Sequence, residues 1–121
     1  MSAEVELTHE IIRALNTIPG VWCWRRNVGR RGHVQFGKKG QSDIEGVLAP
    51  SGRRLELEVK IDAKVTPEQT LWIERMKSYG AIAGVVHSVD EAIAVVTVGS
   101  ICCASKAPAT LSPRCRLSSG L

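Results

Sequence analysis

The chain has 121 residues, 44% of them hydrophobic, which is enough for one domain whose core stands without disulfides or a structural metal. Its formal net charge is +4, and no apolar run is long enough to span a bilayer. A disulfide scaffold is excluded as well: Cys23, Cys102, Cys103 and Cys115 contain no Cys-x-x-Cys pair and no histidine at zinc-ligand spacing, so free thiols are expected. The start, Met1-Ser-Ala-Glu-Val-Glu6, lacks the basic-then-apolar order of a signal peptide, and a cytoplasmic protein is expected.

In chain order, Leu7, Ile11, Ala14, Leu15 and Ile18 predict an amphipathic helix over about residues 5–16, stopped by Pro19-Gly20. Val21-Trp-Cys-Trp-Arg-Arg26 reads as a strand. Residues 27–40 form a glycine- and arginine-rich loop or a loose hairpin, in which His33–Phe36 is the strand-like part. Ser42–Ala49 and Arg54–Ile61 are the next strands, joined through Pro50-Ser51-Gly52. Thr66-Pro-Glu-Gln69 is a helix start, with Thr66 as N-cap and Gln69 at the capping-box position. That helix runs to about Ser78, carries Trp72, Ile73 and Met76 inward, and closes at Gly80. Ala81–Ser88 is a short strand, and Asp90–Val96 a short helix or turn. From 97 to 121 Ser, Ala, Pro, Gly and Cys dominate and no period survives, so a single domain over 1–96 with a loosely ordered tail is expected. Helix, three strands, helix, strand is a small α/β domain with a mixed sheet, because the crossover through the second helix makes a parallel pair.

Chemistry concentrates in residues 40–60. From Arg54 to Ile61 the pattern alternates: Leu55, Leu57, Val59 and Ile61 point one way, and Arg54, Glu56, Glu58 and Lys60 the other. If the strands on either side of Pro50 pair as a hairpin, Asp43 comes near Glu58. Close carboxylates repel unless a cation or a proton lies between them. With a lysine beside them, they are equipped for metal-assisted phosphodiester hydrolysis. A half-solvated sheet edge is the competing reading of the same alternation. The charge layout adds a second signal. From Ile11 to Ser42 there is no acid, while Arg13, Arg25, Arg26, Arg30, Arg31, Lys38 and Lys39 occur there. Either a polyanionic partner or a solvated basic loop accounts for that stretch.

The order of elements resembles the PD-(D/E)xK nuclease superfamily and, more narrowly, a stand-alone VRR-NUC domain (virus-type replication-repair nuclease). The resemblance covers about residues 6–91. It is carried by Glu10, Trp24-Arg-Arg-Asn-Val-Gly29, Gly40-Gln-Ser-Asp-Ile44, Gly52-Arg53, Glu58-Val-Lys60, Thr66-Pro-Glu-Gln69 and Gly80. It implies a restriction-endonuclease-like core of order α-β-β-β-α-β. It further implies that Asp43 and Glu58 ligate Mg²⁺ or Mn²⁺ with help from the Val59 carbonyl. Lys60 would serve the attacking water or the phosphate, Gln69 would support the site, and Glu10 would approach a second metal.

Gln69 could instead serve only the helix cap, and Glu10 could simply be solvated. Glu45 and Glu56 are read as solvated. Arg25, Asn27, Arg30, Arg31, Lys38 and Lys39 are the expected nucleic-acid contacts, made to phosphates. The implied function is an endonuclease on branched or flapped DNA in a bacterial or phage-infected cell, with a homodimer expected and no membrane. A catalytically inactive nucleic-acid-binding module of the same fold is the alternative. Ile61-Asp-Ala-Lys64 departs from the family, being stiffer and less positive than the glycine-rich basic segment of relatives.

Overall fold

Helix α1 (Ala3–Leu15) begins where the Ser2 hydroxyl accepts a hydrogen bond from the Val5 N–H, at 3.2 Å. Glu4 and Glu6 in its first turn and Arg13 in its last suit the helix dipole. Thr8, Ile11 and Leu15 are buried, a spacing that lays one stripe of the helix on the sheet. The computed structural model describes residues 2–26, 29–31, 34–36 and 40–105.

Strand β1 (Val21–Arg25) follows, then the short β2 (Gly29–Arg31) and β3 (Val34–Phe36), which pair with each other as a separate antiparallel hairpin. Of the two readings of this segment the hairpin holds. Next come β4 (Ile44–Leu48), β5 (Arg53–Val59), helix α2 (Pro67–Ser78), β6 (Ile82–Val86) and helix α3 (Val89–Ser105). The main sheet has the order β1-β4-β5-β6; β1–β4 and β4–β5 are antiparallel, and β5–β6 is parallel across α2. The expected mixed α/β order is present, with a third helix at its end.

One face of the sheet is apolar. Cys23, Ile44, Leu48, Leu55, Leu57, Val59, Ile82 and Val86 pack there against Ile11 and Leu15 of α1 and Ala92 and Val96 of α3. Each fully buried Leu, Ile or Val contributes about 1.5–3 kcal/mol, so this layer dominates the stability. Gly46 makes the β1–β4 pairing tight: a Cβ there would lie 2.6 Å from the Trp22 carbonyl oxygen and 2.7 Å from the Cys23 Cβ. Asn16, just past α1, closes the outer edge of β1. Its amide donates to the Cys23 carbonyl at 3.0 Å and accepts from the Cys23 N–H at 2.9 Å.

The opposite face is polar, yet its glutamates are not solvated as expected: α2 packs over Glu56, and side chains of the sheet itself enclose Glu45. Glu56, expected to be solvated, is 0% exposed. Its carboxylate accepts from the Trp72 indole N–H at 2.8 Å and from Arg54 Nε at 2.6 Å. Glu45 opposite it is also inside a network, accepting from Trp24 Nε1 at 2.7 Å, from Arg54 Nη2 at 2.7 Å and from Arg26. Trp72 turns inward onto Glu56 as expected and, like Met76, is half-buried, while Ile73 is the buried residue of α2. A different cause exposes Ile61 by 39%: β5 ends at Val59, so the alternation that would turn Ile61 inward has stopped.

The end of the chain also differs from expectation. The short helix or turn over 90–96 is a helix of 17 residues that continues past the expected boundary at 97 to Ser105. Packing overrides the modest helix propensity of its valines. Ala92, Val96 and Gly99 recur on the side facing β6, and a Cβ at Gly99 would lie 2.9 Å from Ile82 Cγ2. Residues 106–121 of the expected tail lie outside the described residues.

Candidate active site

Asp43 lies one residue before β4. The last β4–β5 partners are Ile44 and Leu57, so the next step of the register sets Asp43 beside Glu58. Backbone bonds fix Asp43 from both sides: its Oδ2 accepts from the Val59 N–H at 2.8 Å, and its carbonyl accepts from the Arg26 N–H at 2.8 Å. The segment leading into it is seated on α2. Gly40 has φ +86°, and a Cβ there would lie 2.6 Å from the Glu68 carbonyl oxygen, so only glycine lets this backbone lie on the first turn of the helix.

Glu58 is 2% exposed. Its Oε2 accepts from Gln69 Nε2 at 3.0 Å, and the Lys60 ammonium is 3.9 Å from the same oxygen. Its Oε1 is buried and has no hydrogen-bond partner among the described residues. Burial is the main cause that pushes the Glu58 carboxyl up to about 9. The neighbouring Asp43 carboxylate pushes the same way, Lys60 opposes, and Glu4 adds to the rise. One register step beyond Ile44 and Leu57 thus brings the two carboxylates to one face of the β4–β5 pair. Between these groups a proton or a cation is needed to offset the charge.

Gln69 does both things that its position allowed. Its Oε1 accepts from the Thr66 N–H at 2.9 Å and the Thr66 hydroxyl accepts from its own N–H at 3.1 Å, which completes the capping box. Its amide nitrogen is left over for Glu58. The helix cap thus fixes the rotamer that presents a donor to the buried carboxylate.

Lys60 is nearly buried and anchored through its N–H to the Val86 carbonyl at 3.1 Å. Val59 turns its side chain into the core while its N–H holds Asp43.

The first helix approaches the site with Glu4, not Glu10. Glu10 is exposed. Glu4 Oε2 accepts from the Ile61 N–H at 3.3 Å and is close enough to raise Glu58. The helical spacing carries the reason: Glu4 shares the stripe of Thr8, Ile11 and Leu15, whereas Glu10 lies about 120° around the helix from Glu4. That stripe, extended one turn toward the N-terminus, was the available signal.

Of the expected nucleic-acid contacts, Arg25 is exposed at the end of β1, and alternation with Cys23 sets it on the α1 side of the sheet rather than the carboxylate side. The Arg30 and Arg31 backbones form β2; their side chains, with Asn27, Lys38 and Lys39, lie outside the described residues. Arg26 does fall on the carboxylate side, where it is bound to Glu45.

The donor set fits a hard divalent cation. It is made of oxygens, one of them buried without a partner, and the lysine beside it leaves a positive group for an anion. Among the described residues no group of three or more His, Cys, Asp or Glu side chains could hold a metal ion. An ion at Asp43 and Glu58 would accordingly keep water in its shell, which is the habit of Mg²⁺. No protein-family model matches the chain, and no curated protein matches it. No helix among the described residues is long and apolar enough to cross a membrane.

Proposed function

We propose that this chain is a metal-dependent nuclease of the VRR-NUC type that hydrolyses phosphodiester bonds of DNA, with branched or flapped structures as substrates. The observation that carries the reading is the buried Glu58 carboxylate, oriented by Gln69 on one oxygen and unpartnered on the other, beside Asp43 and Lys60. A solvated sheet edge does not bury its charges in this way.

Asp43 and Glu58 would hold Mg²⁺ or Mn²⁺, with the Val59 carbonyl as the family's third oxygen. A bound divalent cation supplies polarisation of the phosphate and a lower pKa for coordinated water. The Val59 N–H keeps Asp43 in place, and Gln69 keeps Glu58 from rotating away. Lys60, anchored by its backbone on β6, offers its ammonium to the non-bridging phosphate oxygen or to the attacking water. The bond formed is water oxygen to phosphorus; the bond broken is phosphorus to sugar oxygen. The acid-free stretch from Ile11 to Ser42 supports a polyanionic partner. A homodimer and a cytoplasmic setting belong to the same reading.

A panel of labelled duplex, single strand, flap and four-way junction, incubated with Mg²⁺ or Mn²⁺ and with EDTA, tests it. Metal-dependent cleavage by the parent and none by Glu58→Gln is the expected result. An intact panel under every metal condition would refute the reading.

A further inference from the structure

Trp22 is 67% exposed, a large apolar ring left in water on the edge strand β1. Alternation puts Trp22 and Trp24 on the sheet face that carries Asp43, Glu45 and Glu58. Their ring centroids are 5.2 Å apart with planes at 62°, an edge-to-face pair. Trp24 is not free to move, because its indole N–H donates to Glu45 at 2.7 Å and Glu45 is held by Arg26 and Arg54. Trp22 therefore stands against a fixed wall. The residues beside it in the sheet are Val47 and Arg54, whose guanidinium is ion-paired with Glu45 and Glu56, so its surroundings are apolar with balanced charge.

We infer that the Trp22–Trp24 pair is a stacking shelf for unpaired nucleic-acid bases, which leads a single-stranded segment of the substrate to the Asp43–Glu58 pair. The use of that segment rests on the nuclease reading; the stacking itself does not. Every base has a π-face, so an aromatic shelf binds strands without reading sequence.

Charge along the chain agrees: both rings lie in a stretch that holds no acid from Ile11 to Ser42, although Arg25 itself is exposed on the α1 side of the strand. Distance agrees too. Trp22 pairs with Val47, four residues along β4 from Asp43, which is about 13 Å of strand, or roughly four stacked nucleotides. A second copy of the chain added to the edge of β1 is the competing occupant, and Asn16 works against it by holding both backbone groups of Cys23.

Fluorescence anisotropy in EDTA tests this with labelled oligo-dT and a blunt duplex, against the parent, Trp22→Ala and Trp22→Phe. Loss of one stacking partner corresponds to about 5- to 150-fold weaker binding. Trp22→Ala should lose about that much affinity for oligo-dT, Trp22→Phe should retain most of it, and duplex affinity should be equal in all. Thermal melting should show all of them folded, because Trp22 is exposed. In the parent, oligo-dT should quench tryptophan fluorescence.

Equal oligo-dT affinity in parent and Trp22→Ala overturns the inference, as does an equal loss on duplex or an absence of quenching. A dimeric parent and a monomeric Trp22→Ala of unchanged DNA affinity would assign the ring to a subunit contact instead. Because binding is read without metal, a parent that cleaves nothing overturns the nuclease reading and leaves the stacking result intact.

Discussion

Glu58→Gln keeps the shape and the Gln69 neighbour but removes a buried group that resists ionisation. In the metal-free protein the Glu58 carboxyl is raised from 4.5 to about 9, chiefly by burial. A folded-state pKa above the unfolded one means that the folded form binds more protons between those values. Stability is then complete below about pH 4.5 and falls as the pH rises toward about 9. Each pH unit in that window removes up to about 1.4 kcal/mol, so between pH 5 and pH 8 the parent should lose about 2–4 kcal/mol through this group. Glutamine does not titrate, so the variant should lack this part of the slope. Urea unfolding in EDTA at pH 5 and pH 8, on both proteins, measures it as a difference of differences. Mg²⁺ should stabilise the parent more at pH 8 than at pH 5, since the ion replaces the shared proton, and should do little for the variant. Parallel slopes for parent and variant would refute the buried, Asp43-coupled Glu58 on which the site is built.

Lys60→Ala should bind Mg²⁺ nearly as the parent does but cleave at least about 100-fold more slowly, because it removes the positive partner of the phosphate or the water and no ligand. Calorimetric metal titration beside a cleavage assay checks this. Gln69→Glu keeps an acceptor for the Thr66 N–H but sets a second carboxylate on Glu58. Helix α2 and the melting temperature near pH 6 should therefore be little changed, while cleavage falls; a variant with unaltered cleavage would reduce Gln69 to a cap. Gly40→Ala places a Cβ 2.6 Å from the Glu68 carbonyl oxygen at φ +86°, and should cost about 1–3 kcal/mol in urea unfolding. The displaced segment leads into Asp43, so metal affinity should fall with it.

Several parts of this protein are set by local chemistry and could be seen in the chain alone. Thr66 through Gln69 makes its capping box with residues three apart, and the alternation of Arg54 through Lys60 places Glu58 and Lys60 on one face whatever surrounds the strand. The turn at Pro50–Gly52 joins β4 to β5, and their register then brings Asp43 to Glu58. Other features depend on what packs on what. A strand with one charged face carries no mark that a helix will cover that face, and α2 does so, burying Glu56 under Trp72 and turning the half-solvated edge into a dry site. Glu4 rather than Glu10 meets that site because the tilt and rotation of α1 are set by Ile11 and Leu15 in the core. The last helix extends to Ser105 because Gly99 and Val96 find β6, a contact between residues far apart in the chain. Gln69 serves cap and carboxylate together for the same reason. Its amide has two ends; the sequence neighbour takes the oxygen, and only the fold brings Glu58 to the nitrogen.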